Sequence, residues 1–459
     1  MINRNQELHW LTSHLTRDER QLLVVYGRRR VGKTTLVTEA LDRLSMTSIY
    51  YLCDQRGPVY NATQFANHCA EAFDDISPTV DGFVAAFEYL KRRVDGPCVV
   101  ALDEFSYLVE TDETIPSVFQ TIVDDVLADT EISLVLLGSS ISMMEEGVLS
   151  YESPLYGRRT GQWRLAPLSF ADMRGFFPTK DIETQIQTYS VLGGIPAYLE
   201  QFDPGHSLLE NIETHVLSKG AFLYEEPEFL LRQELREPAT YMAILEAIAG
   251  GATRVTEIAN EINKNASSMS RYLKNLSELA LIERETPVTD PDGRGVYRIA
   301  DDYLRFWFRF VAPNRGPLEQ GRTAPLRDSI GDSRSTHTSQ TFEDVCQQAV
   351  QTASFPVSCS RVGRWWYKQA EIDVVGLDEQ TQTLLLGECK WTTSSVGVGL
   401  LEDLETLTDD VRWEGTERTV QYVLFSRSGF TDELQEVASG RSDLYLYTPG
   451  DLAAVFEQR

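Results

Sequence analysis

Gly27, Gly32, Lys33 and Thr34 stand in the spacing G-x-x-x-x-G-K-T within LLVVYGRRRVGKTTL, residues 22–36. Glycines at these intervals let backbone N–H groups approach phosphate oxygens, so the loop residues Arg28, Arg29, Arg30 and Val31, with Thr35 behind them, are counted in the cradle. The helix that follows adds positive potential from its N-terminus. Lys33 can reach β- and γ-phosphates, and the Thr34 hydroxyl can hold Mg²⁺. The expected ligand is ATP with Mg²⁺. Further along, an apolar strand at 98–102 ends on Asp103 and Glu104. Asp103 can order Mg²⁺ through its water shell, and Glu104 can orient and activate the attacking water. Ser139 ends the next apolar run, ISLVLLGSS, where ligands bind in α/β sheets. It can sense a γ-phosphate or position the water, while Ser140 reads equally as a helix N-cap. In PLYGRRTG, Arg158 either reaches a γ-phosphate, in cis or from a neighbouring subunit, or is a surface arginine.

A second constellation lies near the C-terminal end. Glu343 is on a helix, TFEDVCQQAVQ; Asp373 is on EIDVVGL; Glu388 and Lys390 are on TLLLGECKW. The period of two puts Glu388 and Lys390 on one face of their strand and Cys389 on the other, core-facing side. Metal-dependent phosphodiester cleavage needs such a set. Glu343, Asp373 and Glu388 would hold Mg²⁺ and activate water, and Lys390 would stabilise the nucleophile and the departing oxyanion. The competing reading is a charged strand pair around a structural ion pair.

Several elements must position these residues. Leu8, Leu11 and Leu15 recur at helical spacing before the first strand, and Arg4, just ahead of them, reads as solvated. Apolar runs at 22–25, in SIYYLCD, at 98–102 and in ISLVLLGSS alternate with amphipathic helices, which predicts a parallel α/β sheet over 1–170. Residues 171–237 read as a helical lid, broken at Gly193-Gly194 and Pro196. Three helices and a strand–turn–strand around Asp292-Gly293 give a winged helix-turn-helix over 238–312. Its third helix buries Tyr272, Leu276 and Leu279, which leaves Lys264, Arg271 and Lys274 outside, with Arg284, Arg294 and Arg298 on or near the wing. DNA contact and a connector role are equally compatible with that sparse set. DDYLRFWFRFV reads as packing rather than base stacking. Residues 313–335 are polar with little periodicity and read as a linker, and 336–459 as a C-terminal α/β domain.

The 459 residues carry 69 Asp and Glu against 42 Lys and Arg, net −27, and the acid is spread along the chain. That distribution suits a surface adapted to high salt, and it opposes DNA except at local basic patches. The six cysteines show no C-x-x-C spacing, so a reducing cytoplasm is expected. No apolar run approaches the roughly 18 residues of a membrane span. A soluble cytoplasmic chain without membrane contact follows.

GRRRVGKTTL, ALDEF, LLGSS, PLYGRRTG and YSVLGGIPAYL together resemble the archaeal-type P-loop ATPases, relatives of the AAA+ and STAND classes. The resemblance covers 1 to about 310. It implies an ASCE-type sheet with the Walker B strand next to the P-loop strand. It also implies Arg4 near the adenine, and Gly194 and Pro196 contacting nucleotide from the lid. AAA+ enzymes usually place Asn at the position of Ser139. Glu343, Asp373 and Glu388-x-Lys390 are similar to the PD-(D/E)XK nuclease fold, a restriction-endonuclease-like α/β domain. The expected function is an ATPase coupled to a DNA-binding, Mg-dependent nuclease domain, with a possible homo-oligomer. The alternative is a nucleotide-gated scaffold whose nuclease-like domain is inactive and binds protein or DNA.

Overall fold

The computed structural model describes residues 3–413 and 418–458. The chain forms two compact units, Met1–Pro167 and Leu168–Arg459.

In the first unit, β1 (Leu22–Tyr26), β2 (Thr47–Leu52), β3 (Cys98–Asp103), β4 (Ile132–Gly138) and β5 (Gly161–Arg164) form one sheet in the order β2-β3-β4-β1-β5. Every pairing is parallel. β1, β3 and β4 are buried along their whole length, because helices cover both faces of a parallel sheet. Helix Lys33–Arg43 buries Leu36, Val37 and Ala40, and helix Asn5–Leu15 buries Leu8, Leu11 and Leu15.

The sheet corrects one expectation. The Walker B strand β3 is not beside the P-loop strand β1, since β4 lies between them. β4 pairs with both: Leu134 is opposite Leu22, and Ile132 is opposite Cys98. The insertion brings the end of β4 to the phosphate loop, where the Gly27 N–H donates to the Gly138 carbonyl at 3.3 Å.

The second unit begins with helices, among them Ile182–Leu192, Pro196–Leu199 and Phe222–Glu234. Helices Pro238–Ala249, Val255–Glu261 and Ala266–Glu278 then lead into an antiparallel pair, β6 (Ile282–Glu285) and β7 (Val296–Ile299). This is the winged helix. Its third helix buries Met269, Tyr272, Leu273 and Leu276. In the aromatic segment, Tyr303, Phe306 and Trp307 are almost fully buried, and the Trp307 indole N–H donates to the Tyr224 carbonyl at 3.0 Å. These rings serve packing.

Residues 313–335 are not an irregular linker. Much of the stretch is the first half of one 27-residue helix, Ala324–Val350. Its buried residues include His337, Thr338 and Thr341 beside Phe342 and Val345, so polar groups break the apolar period by which a sequence announces a buried helix. His337 is held by the Ser190 carbonyl at 2.8 Å, and burial lowers its pKa to about 3.

The C-terminal sheet is mixed. It contains β8 (Arg361–Tyr367), β9 (Ala370–Asp378), β10 (Thr383–Lys390), β11 (Thr419–Ser426) and β12 (Leu444–Tyr447), in the order β12-β11-β10-β9-β8. β8, β9 and β10 are antiparallel neighbours, whereas β10, β11 and β12 run parallel. β8, from RWWY, was not anticipated as a separate strand. Among the described residues no helix is long and apolar enough to cross a membrane.

Candidate functional site

The phosphate loop joins β1 to helix Lys33–Arg43. Gly27 has φ 150°, and a Cβ there would lie 2.4 Å from the Leu165 carbonyl oxygen. Gly32 is left-handed, φ 95°, immediately before the helix. Only glycine meets both demands without strain. The Lys33 ammonium, almost fully buried, donates to the carbonyls of Gly27 at 2.9 Å and Arg28 at 3.0 Å. Val31 is buried, Arg28 is largely buried, and Arg29 donates to the Tyr107 hydroxyl at 2.8 Å. Thr35 is exposed at the first turn of the helix.

The acids arrive from β3. The Thr34 hydroxyl donates to Asp103 Oδ2 at 2.6 Å, and the Tyr50 hydroxyl donates to the same oxygen at 2.7 Å. Burial and that carboxylate raise the Tyr50 pKa, so the phenol stays a donor. The Glu104 N–H donates to Asp103 Oδ1 at 2.8 Å. Glu104 itself has φ 53°, a left-handed conformation uncommon for a side chain of its size. The Ser139 hydroxyl, brought over by β4, donates to Glu104 Oε1 at 2.7 Å. Glu104 Oε2 is buried with no hydrogen-bond partner among the described residues. A buried carboxylate oxygen without a donor is costly unless water or a ligand supplies one. A hydroxyl, two adjacent carboxylates and this open oxygen fit Mg-ATP with an attacking water.

Arg4 is not solvated. It is 6% exposed, pairs with Glu7 at 2.8 Å, and donates to the backbone carbonyls of Val31 at 3.2 Å and Ala166 at 2.7 Å. Those backbone partners left no mark in the residues around Arg4. Tyr50 was also missed; its only sequence signal is a place in SIYYLCD, read as a strand, and the pairing of that strand with β3 is seen only in the structure. Arg158 makes a two-oxygen contact with Asp124 at 2.8 and 3.0 Å and donates to the Pro154 carbonyl. Ser140 occupies the N-cap position of its helix, but its side chain makes no capping bond. In the second unit, Pro196 opens helix Pro196–Leu199, and the Gly194 carbonyl accepts from the Leu168 N–H at 2.7 Å.

The C-terminal acids are differently placed. Glu388 and Lys390 share a face and pair at 2.6 Å, while Cys389 is buried on the other face. Asp373, on the neighbouring strand, accepts from the Cys389 N–H at 3.0 Å and lies 3.9 Å from the Lys390 ammonium. Glu343 contacts Arg364, a β8 residue not singled out from the sequence. Burial pushes the Glu343 carboxyl up to about 8, against the pull of Arg364, and burial with the nearby Asp373 pushes Glu388 up to about 7. Among the described residues no group of three or more His, Cys, Asp or Glu is arranged to hold a metal ion. Glu343 and Glu388 each have a cationic side chain as partner, Arg364 and Lys390. These residues do not fit a metal as they stand.

Five of the six basic residues singled out on the winged helix are engaged, whereas Arg294 is exposed. Arg271 pairs with Glu237 at 3.0 Å and Lys274 with Glu278 at 3.3 Å. Arg284 donates to the Gly293 carbonyl at 2.7 Å, and Lys264 lies over the Tyr272 ring. Arg298 does not face outward. It contacts Glu283 and lies 3.6 Å from Glu285 and 3.1 Å from Asp344.

Comparison with known proteins follows this division. An ATPase domain found predominantly in Archaea matches residues 1–202. An IclR helix-turn-helix domain matches 241–286, and a domain of archaeal and bacterial proteins of unknown function matches 307–399. An uncharacterized protein of Methanocaldococcus jannaschii is 34% identical over 396 residues, covering 85% of this chain and 87% of that protein. An uncharacterized ATP-binding protein of the same organism is 35% identical over 52 residues, 11% of this chain and 88% of the other. Among solved structures, a Walker-type ATPase of Pyrococcus abyssi aligns with a TM-score of 0.51 at 22% identity, over 67% of this chain and 96% of that one. At that identity the likeness is one of fold, an α/β P-loop NTPase.

Proposed function

This chain belongs to the family of archaeal proteins that carry that ATPase domain, and from that premise we propose that it is an ATP-hydrolysing switch that binds DNA through its winged helix. The observation that carries the reading is the convergence of three strand ends on one loop. Thr34 bonds Asp103, Ser139 bonds Glu104, and Glu104 keeps one buried oxygen open.

Lys33 would exchange its two loop carbonyls for β- and γ-phosphate oxygens, while the amides of 28–35 enclose the same oxygens. Thr34 and Asp103 would hold Mg²⁺, which supplies charge neutralisation on the phosphates when bound. Glu104 takes up a water proton through Oε2, and Ser139 fixes the carboxylate by its bond to Oε1. Arg4 braces the loop from behind by holding the Val31 carbonyl. Arg158 answers to a neighbouring subunit only if its pair with Asp124 opens, so a homo-oligomer would have to break that pair. The boundaries 1–170, 171–237, 238–312 and 336–459 serve as working domain limits, with the stretch between the last two now helical.

The C-terminal sheet enters as a binding and regulatory part. The pairs Glu343–Arg364 and Glu388–Lys390 favour the scaffold reading over cleavage. The competing Mg-dependent nuclease reading draws on Asp373 standing beside the Glu388-x-Lys390 face. ATP turnover and duplex binding measured on the same protein test the proposal. Turnover that survives Lys33→Ala would remove the phosphate-loop assignment. Metal-dependent DNA cleavage that is lost in Asp373→Ala would replace the scaffold reading with the nuclease one.

A further inference from the structure

One arm of the wing is packed against the protein, while its tip, Asp290, Pro291, Asp292 and Arg294, is exposed. Residues 286–289, which follow β6, rest on the edge strand β8 of the C-terminal sheet through Val288. Pro287 is buried, and Val288 joins the hydrophobic cluster built by Trp365, Ile372 and Leu384. The Val288 N–H donates to the Arg364 carbonyl at 2.9 Å. Gly363 leaves room for the contact; a Cβ placed on it would sit 3.3 Å from Val288 Cβ.

Charges close the same joint from the base of the wing. Arg298 of β7 lies 3.1 Å from Asp344 on helix Ala324–Val350, and Arg364 of β8 lies 3.8 Å from Glu285 on β6. Asp344 is also 4.0 Å from Arg364, so one carboxylate serves an arginine from each side. All four side chains are about one-fifth exposed or less, and partly buried pairs are weakly screened by salt. Beside the joint lies a cavity of about 710 Å³ lined from both sides, by Arg254, Glu285 and Val296 of the winged helix and by Glu343, Arg364 and Asp373 of the C-terminal domain.

We propose that this joint is an intramolecular latch that competes with nucleic acid: the wing either docks on β8 or lies against a duplex, and the chain binds DNA through its winged helix only when the latch opens. The inference rests on the DNA-binding reading above and adds its regulation. A helix-turn-helix reads a duplex by placing its third helix in the major groove. The wing flanks that helix, and the arm of the wing held on β8 through Val288 cannot at the same time lie along a duplex backbone. With the open state a minor population, apparent affinity is reduced by the open fraction.

The test uses the full-length protein and a short fluorescein-labelled duplex of mixed sequence, followed by anisotropy. Val288→Cys with Gly363→Cys places two Cβ atoms close to the separation that a disulfide spans. The oxidised form should bind the duplex about tenfold or more weakly than the same protein after reduction, whereas wild type treated in parallel should not change. Asp344→Asn removes the shared carboxylate and leaves every basic residue of the winged helix in place. It should bind roughly three- to tenfold more tightly than wild type, and hydrogen exchange at the Val288 amide should quicken. Equal affinity of the oxidised and reduced double-cysteine protein, with Asp344→Asn unchanged, overturns the latch while DNA binding stands. No binding by any form, Asp344→Asn included, overturns both the latch and the DNA reading.

Discussion

The phosphate loop and the C-terminal strand pair both set acids near a lysine, but they leave those acids in opposite states. At the loop, Asp103 and Glu104 are held by neutral donors, the hydroxyls of Thr34, Tyr50 and Ser139, and one Glu104 oxygen has no partner among the described residues. At the C-terminal sheet, Glu343 has Arg364 and Glu388 has Lys390. Neutral donors orient a carboxylate without cancelling its charge, so it can still take a proton or a cation. Ionic partners cancel the charge and must be displaced first. Residue identity alone does not separate these two states of an acid; the formal charge of its neighbours does.

The largest expected effect lies at the loop. Lys33→Ala or Glu104→Gln should lower ATP turnover about a thousandfold, close to 4 kcal/mol of transition-state stabilisation. Glu104→Gln should still bind ATP in calorimetry. Turnover retained by Glu104→Gln would mean that the open oxygen is not the base. The contrasting change at the other site is Arg364→Ala. It removes the cation that faces Glu343, Asp344 and Glu285, and above about pH 8, where Glu343 is ionised, it should destabilise the second unit by about 3 kcal/mol in denaturant titration without touching turnover. A loss below about 0.5 kcal/mol would show that the pair is a surface feature.

The charge network of the second unit also makes its stability depend on pH. Asp302 contacts Arg305 and accepts from Thr341 at 3.3 Å, with Asp301 and Asp344 nearby. Burial raises its pKa from 3.8 to about 7. The folded state thus holds this proton more tightly than the unfolded chain does. Stability should fall as pH rises from about 4 to about 7, then level off, with about 2 kcal/mol of the loss lying between pH 5 and pH 8. Asp302→Asn should flatten that slope in thermal melts; an unchanged slope would place the titration elsewhere. The smallest effect is expected from Ser139→Ala, about tenfold in turnover, because it removes one neutral donor from an acid that the backbone already positions. A loss as large as that of Glu104→Gln would give Ser139 a direct role at the γ-phosphate.

What the sequence revealed follows from distance along the chain. Gly27, Gly32, Lys33 and Thr34 are adjacent in one loop, and the run ending at Asp103 and Glu104 is a local pattern, so both were legible. The hairpin β9–β10 was legible for the same reason, and strict alternation placed Cys389 in the core. The position of β4 between β1 and β3 was not, because it depends on pairings across more than a hundred residues, such as Leu22 with Leu134. Nor were the partners of Arg4, which are backbone carbonyls and have no residue type. Arg298 and Arg364 look like surface arginines in sequence; only the meeting of wing, helix and sheet turns them inward.

Helix Ala324–Val350 is about 40 Å of uninterrupted backbone. Toward its middle, His337 and Thr338 reach Ser190; further on, Gln347 donates to the Asp373 carbonyl at 2.7 Å. Anyone dissecting the protein for separate expression would choose the polar stretch near residue 330 as the cut. That cut would halve a rod, strip Phe342 and Val345 of their cover, and yield two fragments prone to aggregate. Soluble pieces should come instead from a break at Pro167, between the two compact units.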